Sequence, residues 1–446
     1  MNFPHFRGLL SAALLATVAV VASAPASAAN LTAEIDADYA YLDALYKHFH
    51  QNPEISFQEK ESAARLAREL GALGFEVTDG VGGYGIVAIL KNGIGPTVMI
   101  RADMDALPVK EQSWVDYPSK VTTIDEAGNE VSVMHACGHD IHMTVFVGTA
   151  RRLVAMKEKW RGTLMMIGQP AEERGAGARE MLADGLFTRF PRPDYNIMLH
   201  TSAALPAGTI GHVSGWALAN VDSVDVTVRG IGGHGAYPHL TKDPVLIASQ
   251  IVLALQTIVS REIDPQSPAV ITVGSIHGGT KHNIISDEVK LQITVRSYSD
   301  EVRAQLLDGI RRVAANVGRA AGLPEDLLPV VTHQEDEYTP STYNDPALTA
   351  RLVAAIDAAD GGSPLRETSP VMGGEDFSRY GRQDPPIPSV IFWLGGVDPA
   401  EVKRAEAGEI KLPSLHSPLF APLPEPTLKS GVHAMTTAAL ELLGKP

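Results

Sequence analysis

Short, mostly apolar runs recur at residues 85–90, 97–100, 163–167, 195–199 and 389–394, set off by nearby Gly, Asn, Asp or Pro. A strand with one wet face alternates apolar and polar side chains, whereas an unbroken apolar strand needs cover on both faces. The runs therefore restrict the chain to a parallel or mixed sheet held between helices. Helical periodicity at 33–49, 60–73, 141–156, 346–359 and about 425–443 supplies that cover. The fold class read from this pattern is α/β with a mixed sheet.

The pattern changes near Trp216. Val224, Val226 and Val228 alternate with polar residues, as in a half-exposed strand. An apolar helix at 244–259, two strands at 269–276 and 289–297, a helix at 299–322 and a closing run at 329–334 follow. The order β-α-β-β-α-β is that of a ferredoxin-like α+β module. Residues 216–337 are thus expected to be a satellite inserted into a discontinuous catalytic domain, 29–215 with 338–446. Its antiparallel sheet can leave an edge or face free for a second subunit.

The first 28 residues read differently. Arg7 is followed by an apolar run from Leu9 to Ala22 and by the small-residue site Ala26-Ser27-Ala28, a secretory signal peptide cleaved after Ala28. No later segment reads as a membrane span. The mature protein is expected to be exported to the periplasm. Its formal charge of −15 becomes −16 once Arg7 is removed, which disfavours nucleic acid and anionic membranes as partners. An exported chain with one cysteine forms no internal disulfide, so Cys137 must be buried, catalytic or metal-bound.

That cysteine lies in His135-Ala-Cys-Gly-His-Asp-Ile-His142. Thiolate and imidazole together suit a soft-to-borderline metal such as zinc. The predicted strands deliver further donors: Asp103 and Asp105 after one, Glu172 and Glu173 after another, His200 after a third. In open α/β sheets the carboxyl ends of the strands line the ligand crevice. Extended geometry would put Cys137 and His139 on the same side and make Glu172 and Glu173 diverge, one to hold a metal and one to move protons. Asp140 is expected to cap the following helix.

In its motifs the mature chain resembles the co-catalytic metallopeptidases that include hippurate hydrolase, N-acyl-amino-acid amidohydrolases and plant auxin-conjugate hydrolases. The blocks are Arg101-Ala-Asp-Met-Asp-Ala-Leu-Pro108, His135-Ala-Cys-Gly-His-Asp140, Gln169-Pro-Ala-Glu-Glu173, Gly232-Gly-His234, Asn283-Ile-Ile-Ser286 and Leu415-His-Ser-Pro418. The resemblance implies a zinc-peptidase-like catalytic domain with two divalent metal ions, Zn or Mn foremost and Co or Ni admissible. It implies Cys137 as the bridging ligand, with His139, Glu173, His200 and His416 as the others. Glu172 would be the general base, with Asp105 behind the ligands; no metal is placed on Asp103, and His142 is left as scaffold. His234 would steady the scissile carbonyl oxygen, from the partner of a homodimer or higher oligomer, and Asn283 and Arg296 would bind substrate. The implied substrate is an N-acyl amino acid or a short peptide-like amide; the alternative is a metallo-carboxypeptidase or dipeptidase.

Two departures stand out: Ile-Ile-Ser-Asp after Asn283 where the family more often has Val-Ile-Pro-Asp, and a longer segment at 120–133 on the pocket rim. The rival readings are a cysteine hydrolase built on Cys137, which iodoacetamide but not EDTA would inactivate, and a non-catalytic binding protein. The second has no use for Glu172 beside a full ligand set.

Overall fold

The computed structural model describes Met1 and residues 28–359 and 361–444. The expected signal peptide falls almost wholly outside these residues. Two helices, α1 (Ala28–Gln51) and α2 (Lys60–Ala72), lead into strands β1 (Glu76–Val81), β2 (Gly85–Asn92) and β3 (Thr97–Asp103). A small hairpin at 122–132 precedes α3 (His139–Ala155), β4 (Gly162–Gln169), β5 (Tyr195–Pro206) and β6 (Ile210–His212). Then come β7 (Val221–Arg229), α4 (Pro244–Arg261), β8 (Ala269–Gly278), β9 (Glu288–Ser297), α5 (Asp300–Ala320) and β10 (Val330–Thr339). The chain returns through α6 (Pro346–Ala358), β11 (Leu365–Glu367) and β12 (Ser389–Val397), and closes with α7 (Pro424–Leu443).

Eight strands form one mixed sheet in the order β1-β2-β4-β3-β5-β12-β6-β11. Neighbours β4, β3, β5 and β12 run parallel, while β1, β2 and β4 alternate in direction. The unbroken apolar runs divide residue by residue between two cores. Ile86, Ala88 and Leu90 of β2, Val98 and Ile100 of β3, and Leu164 and Met166 of β4 join α1, α3 and α7 on one face. Val87 and Ile89, Met99, and Met165 and Ile167 point the other way, onto Met181, Phe377 and Tyr380. Period-two side-chain direction is the reason both halves of each strand had to be apolar.

The second sheet is antiparallel, in the order β8-β9-β7-β10. Val224, Val226 and Val228 of β7 meet Ile247, Ile251, Leu255 and Ile258 of α4 and Leu306 and Ile310 of α5 in a separate core. α4 departs from expectation, since its 18 residues are long and apolar enough to cross a membrane. It uses one stripe of that apolarity on the sheet and leaves Leu246 and Leu253 exposed. Where the chain enters and leaves this unit, Gly215–Leu218 pairs antiparallel with Thr342–Asn344, so both crossings run side by side.

Candidate metal centre

β3 and β4 are in parallel register, with Asp103 opposite Gln169. Their carboxyl ends therefore open together, and the turn before α3 lies across them. Gly138 starts that helix with φ +84°, and a Cβ there would sit 2.5 Å from Thr201 Oγ1 of β5. The Thr201 hydroxyl donates to the Cys137 carbonyl at 2.6 Å, which fixes the turn against the strand. The turn is not extended; a left-handed glycine brings Cys137 and His139 together.

Each imidazole is set by its second nitrogen. His139 Nδ1 faces the Asp105 carbonyl at 2.7 Å, and a carbonyl only accepts, so Nδ1 carries the proton. His139 Nε2 is left buried and without a hydrogen-bond partner. His200 Nδ1 likewise faces the Thr201 carbonyl at 2.8 Å, leaving Nε2 3.5 Å from Cys137 Sγ. β5 runs on past His200 rather than ending there. His416, with φ +66°, is tied in by its N–H to the Ala136 carbonyl and places Nε2 3.4 Å from Glu173 Oε2. Glu173 Oε1 is buried and unpartnered.

Ligand-type atoms gather within 4.8 Å of one another in several sets, among them Cys137/His139/His200, Cys137/Glu173/His416 and His139/Glu172/Glu173. Cys137 belongs to two of these three. Glu172 and Glu173 do not diverge as extended geometry required. Ala171 has φ +48° and starts a turn, so Glu172 Oε2 and Glu173 Oε1 lie 3.9 and 4.0 Å from the same His139 Nε2. The N–H groups of Glu172 and Glu173 both donate to the Asp105 carboxylate, at 3.1 and 3.0 Å. Asp105 thus orients the histidine with its carbonyl and the two glutamates with its carboxylate.

The site is rich in negative charge. Burial raises Glu172 far above the usual carboxylate range, and the charges of Glu375, Glu173 and Asp376 add to this. Burial also lifts Glu173 to about 7, against the pull of His139, and pushes up the Cys137 thiol. Unpaired buried lone pairs on nitrogen and oxygen around a sulfur, amid surplus carboxylate, fit divalent cations well.

One expectation shifts here. Asp140 does not cap α3; Gly138 holds the cap position, and Asp140 Oδ2 binds His50 Nδ1 at 2.7 Å. His234 and Asn283 come together on a two-stranded ribbon of the second sheet's unit, where the Asn283 carbonyl accepts from Gly235. Both are exposed, and the hydrogen bond and ring contact of His234 stay on that ribbon, at Ala236 and Tyr237. Arg296 is partly committed to the protein, donating to the Met372 carbonyl at 3.1 Å and Thr294 Oγ1 at 3.1 Å.

Sequence reasoning missed a buried arginine network. Arg101 donates to Asp103 at 2.6 Å, Glu375 at 2.8 Å, Asp376 at 2.9 Å and Gln169 at 3.0 Å. Asp103 also accepts from His142 Nδ1 at 2.6 Å, while His142 Nε2 takes the Thr201 N–H at 2.8 Å. Both nitrogens of His142 are therefore in use. The missed signal was an acid pair in Gly373-Gly374-Glu375-Asp376, which an arginine inside an apolar strand requires as partner.

The sequence profile described as "Peptidase family M20/M25/M40" matches residues 99–408. The chain belongs to this family. Among its relatives, Thermostable carboxypeptidase 2 of Saccharolobus solfataricus is 39% identical over 355 residues, 79% of this chain and 84% of that protein. IAA-amino acid hydrolase ILR1-like 2 of Arabidopsis thaliana is 32% identical over 406 residues, 91% of this chain and 86% of its own. A crystal structure of the Bacillus subtilis YXEP protein, described as a dinuclear metal-binding peptidase of the same family, superposes with a TM-score of 0.73. It is 29% identical and covers 91% of this chain and 99% of that one. The protein is a metal-dependent hydrolase of linear amide or peptide C–N bonds.

Proposed function

We propose that this family member hydrolyses N-acyl amino acids at a centre where Cys137, His139, Glu173, His200 and His416 would hold two divalent ions. The observation that carries the reading is the Cys137 sulfur shared by two donor sets, with Glu172 beside them. Ions held there, Zn or Mn foremost, would polarise the scissile carbonyl and lower the pKa of water. Glu172 takes the proton from the attacking water and returns it to the leaving nitrogen. Its raised pKa, brought down by nearby positive charge, suits a group that must both accept and give a proton. His234 donates to the carbonyl oxygen as negative charge builds on it. Asn283 and the free part of the Arg296 guanidinium receive the substrate's carboxylate.

We take residues 29–215 with 338–446 as the catalytic body and 216–337 as the satellite of a homodimer, in which His234 serves the partner's site. The exposed apolar positions of α4 and the free edge of β8 support this. The leader of residues 1–28 supports export to the periplasm.

Two variants test the centre. Glu172→Gln keeps two metal ions per chain by plasma emission and loses turnover of hippurate by about 10³-fold or more, the scale of a lost general base. A near-wild-type rate would remove Glu172 from the mechanism. Cys137→Ser lowers the metal content below two; two retained ions would remove Cys137 from the ligand set. The carboxypeptidase name of a 39% identical relative favours a second reading, peptide cleavage. A panel of N-acyl amino acids against dipeptides and longer peptides decides between them by kcat/KM.

A further inference from the structure

The segment His50-Gln-Asn-Pro-Glu-Ile-Ser-Phe-Gln-Glu59 ends α1 and starts α2, and nothing above gives it a role in catalysis. Its last residue stands where a side chain would ordinarily cap α2. Glu59 makes no such cap bond. Glu54 does that work instead, accepting from Glu61 N–H at 3.0 Å and Ser62 N–H at 2.8 Å. Glu59, fully buried, is thereby released to reach across the molecule. Its Oε1 accepts the Ala171 N–H at 2.7 Å and the Phe57 N–H at 3.0 Å.

Ala171 immediately precedes Glu172, and its φ of +48° creates the turn that presents both glutamates. Phe57 is the other end of the same device, with φ +66°. Next to it, Ser56 donates to Asp105 Oδ2 at 2.6 Å. Three successive N–H groups, of residues 171, 172 and 173, therefore end on two buried carboxylates, Glu59 and Asp105. Left-handed alanine is intrinsically disfavoured and persists only where the surroundings over-determine it.

We propose that Glu59 is a positioning residue for Glu172: by accepting the Ala171 N–H it holds the left-handed turn that aims the base at the reacting water. The proposal rests on the reading of Glu172 as the base. Its effect on Glu172 passes through the Ala171 N–H bond.

The test is a double-variant cycle in the metal-loaded, full-length enzyme with hippurate, or the best substrate of the panel above. Glu59→Ala lowers kcat by about 10²-fold, the scale of a misplaced catalytic group, with KM changed little and two metal ions kept. Glu59→Gln restores most of that loss, because an amide oxygen still accepts the Ala171 N–H. In the Glu172→Gln background, Glu59→Ala causes no further loss of the residual rate, although it lowers the melting temperature in both backgrounds alike. A merely structural role predicts the opposite: the same fractional loss with and without the base. That result, or an unchanged kcat in Glu59→Ala, or a loss in Glu59→Gln as large as in Glu59→Ala, overturns the proposal. Should Glu172→Gln alone prove fully active, the functional reading falls instead.

Discussion

His50 shows how much one side chain carries. Its Nδ1 meets Asp140 at 2.7 Å and its Nε2 meets Glu111 at 3.1 Å, with every partner nearly inaccessible to solvent. Burial pulls its pKa down, but the hydrogen bonds and charges of the two acids outweigh this and set it at about 9. A pKa raised on folding stabilises fully below the unfolded value near 6.5 and is lost as pH climbs through 9. The full effect is about 3 kcal/mol. The wild-type melting temperature should thus fall between pH 6.5 and 9. His50→Gln should start lower and fall less steeply across that window; an equal slope in both would mean His50 is not a titrating group there. The same contact ties α1 to the residue after His139. At this scale the donors were legible, because soft and acidic residue types at strand ends are rare in an apolar sequence. Arg101, Glu59 and Glu375 were not. Each acts through a partner distant in sequence, and spacing carries no trace of that.

At the scale of elements, strands and helices were readable because alternate residues serve two cores, which imposes continuous apolarity. The turns were misread as extended. An alanine at φ +48° leaves no compositional signal, since it is held by Glu59 rather than by its own preference. Gly138 does leave one. Replacing it with alanine costs about 1–2 kcal/mol for the left-handed backbone, and the new methyl group meets Thr201 Oγ1 at 2.5 Å besides. Gly138→Ala should melt earlier and hold fewer than two metal ions, because the turn carrying Cys137 must lift from β5. A variant with wild-type melting and full metal content would mean that the turn is not pinned by this contact.

For the whole molecule, the two architectures were legible from the change of hydrophobic period near Trp216. What joins them was not. Arg382 reaches Asp300 at 2.9 Å and the Ser341 hydroxyl at 2.7 Å, and the Tyr338 ring has the guanidinium groups of Arg303 and Arg379 3.8 and 5.8 Å from its centre. The exposed face of α4 carries the proposed dimer contact, with Leu253 73% exposed. Leu253→Glu should shift sedimentation to the monomer and abolish turnover while both metal ions stay bound, if His234 works in trans. A fully active monomer would place His234 in its own subunit's site or outside the reaction.

The order of the strands carries one more consequence. β12 lies between β5 and β6 in the sheet, yet it is made after the whole of the second unit. The first 212 residues must therefore leave an open slot beside β5 and wait for a strand more than 170 residues away. His416 arrives later still. Closing so distant a pairing is slow compared with local structure, and a growing chain holds only part of the donor set. With the ligand set proposed above, no fragment ending before residue 416 would carry the complete centre, and hydrolysis would wait until nearly the last helix is in place.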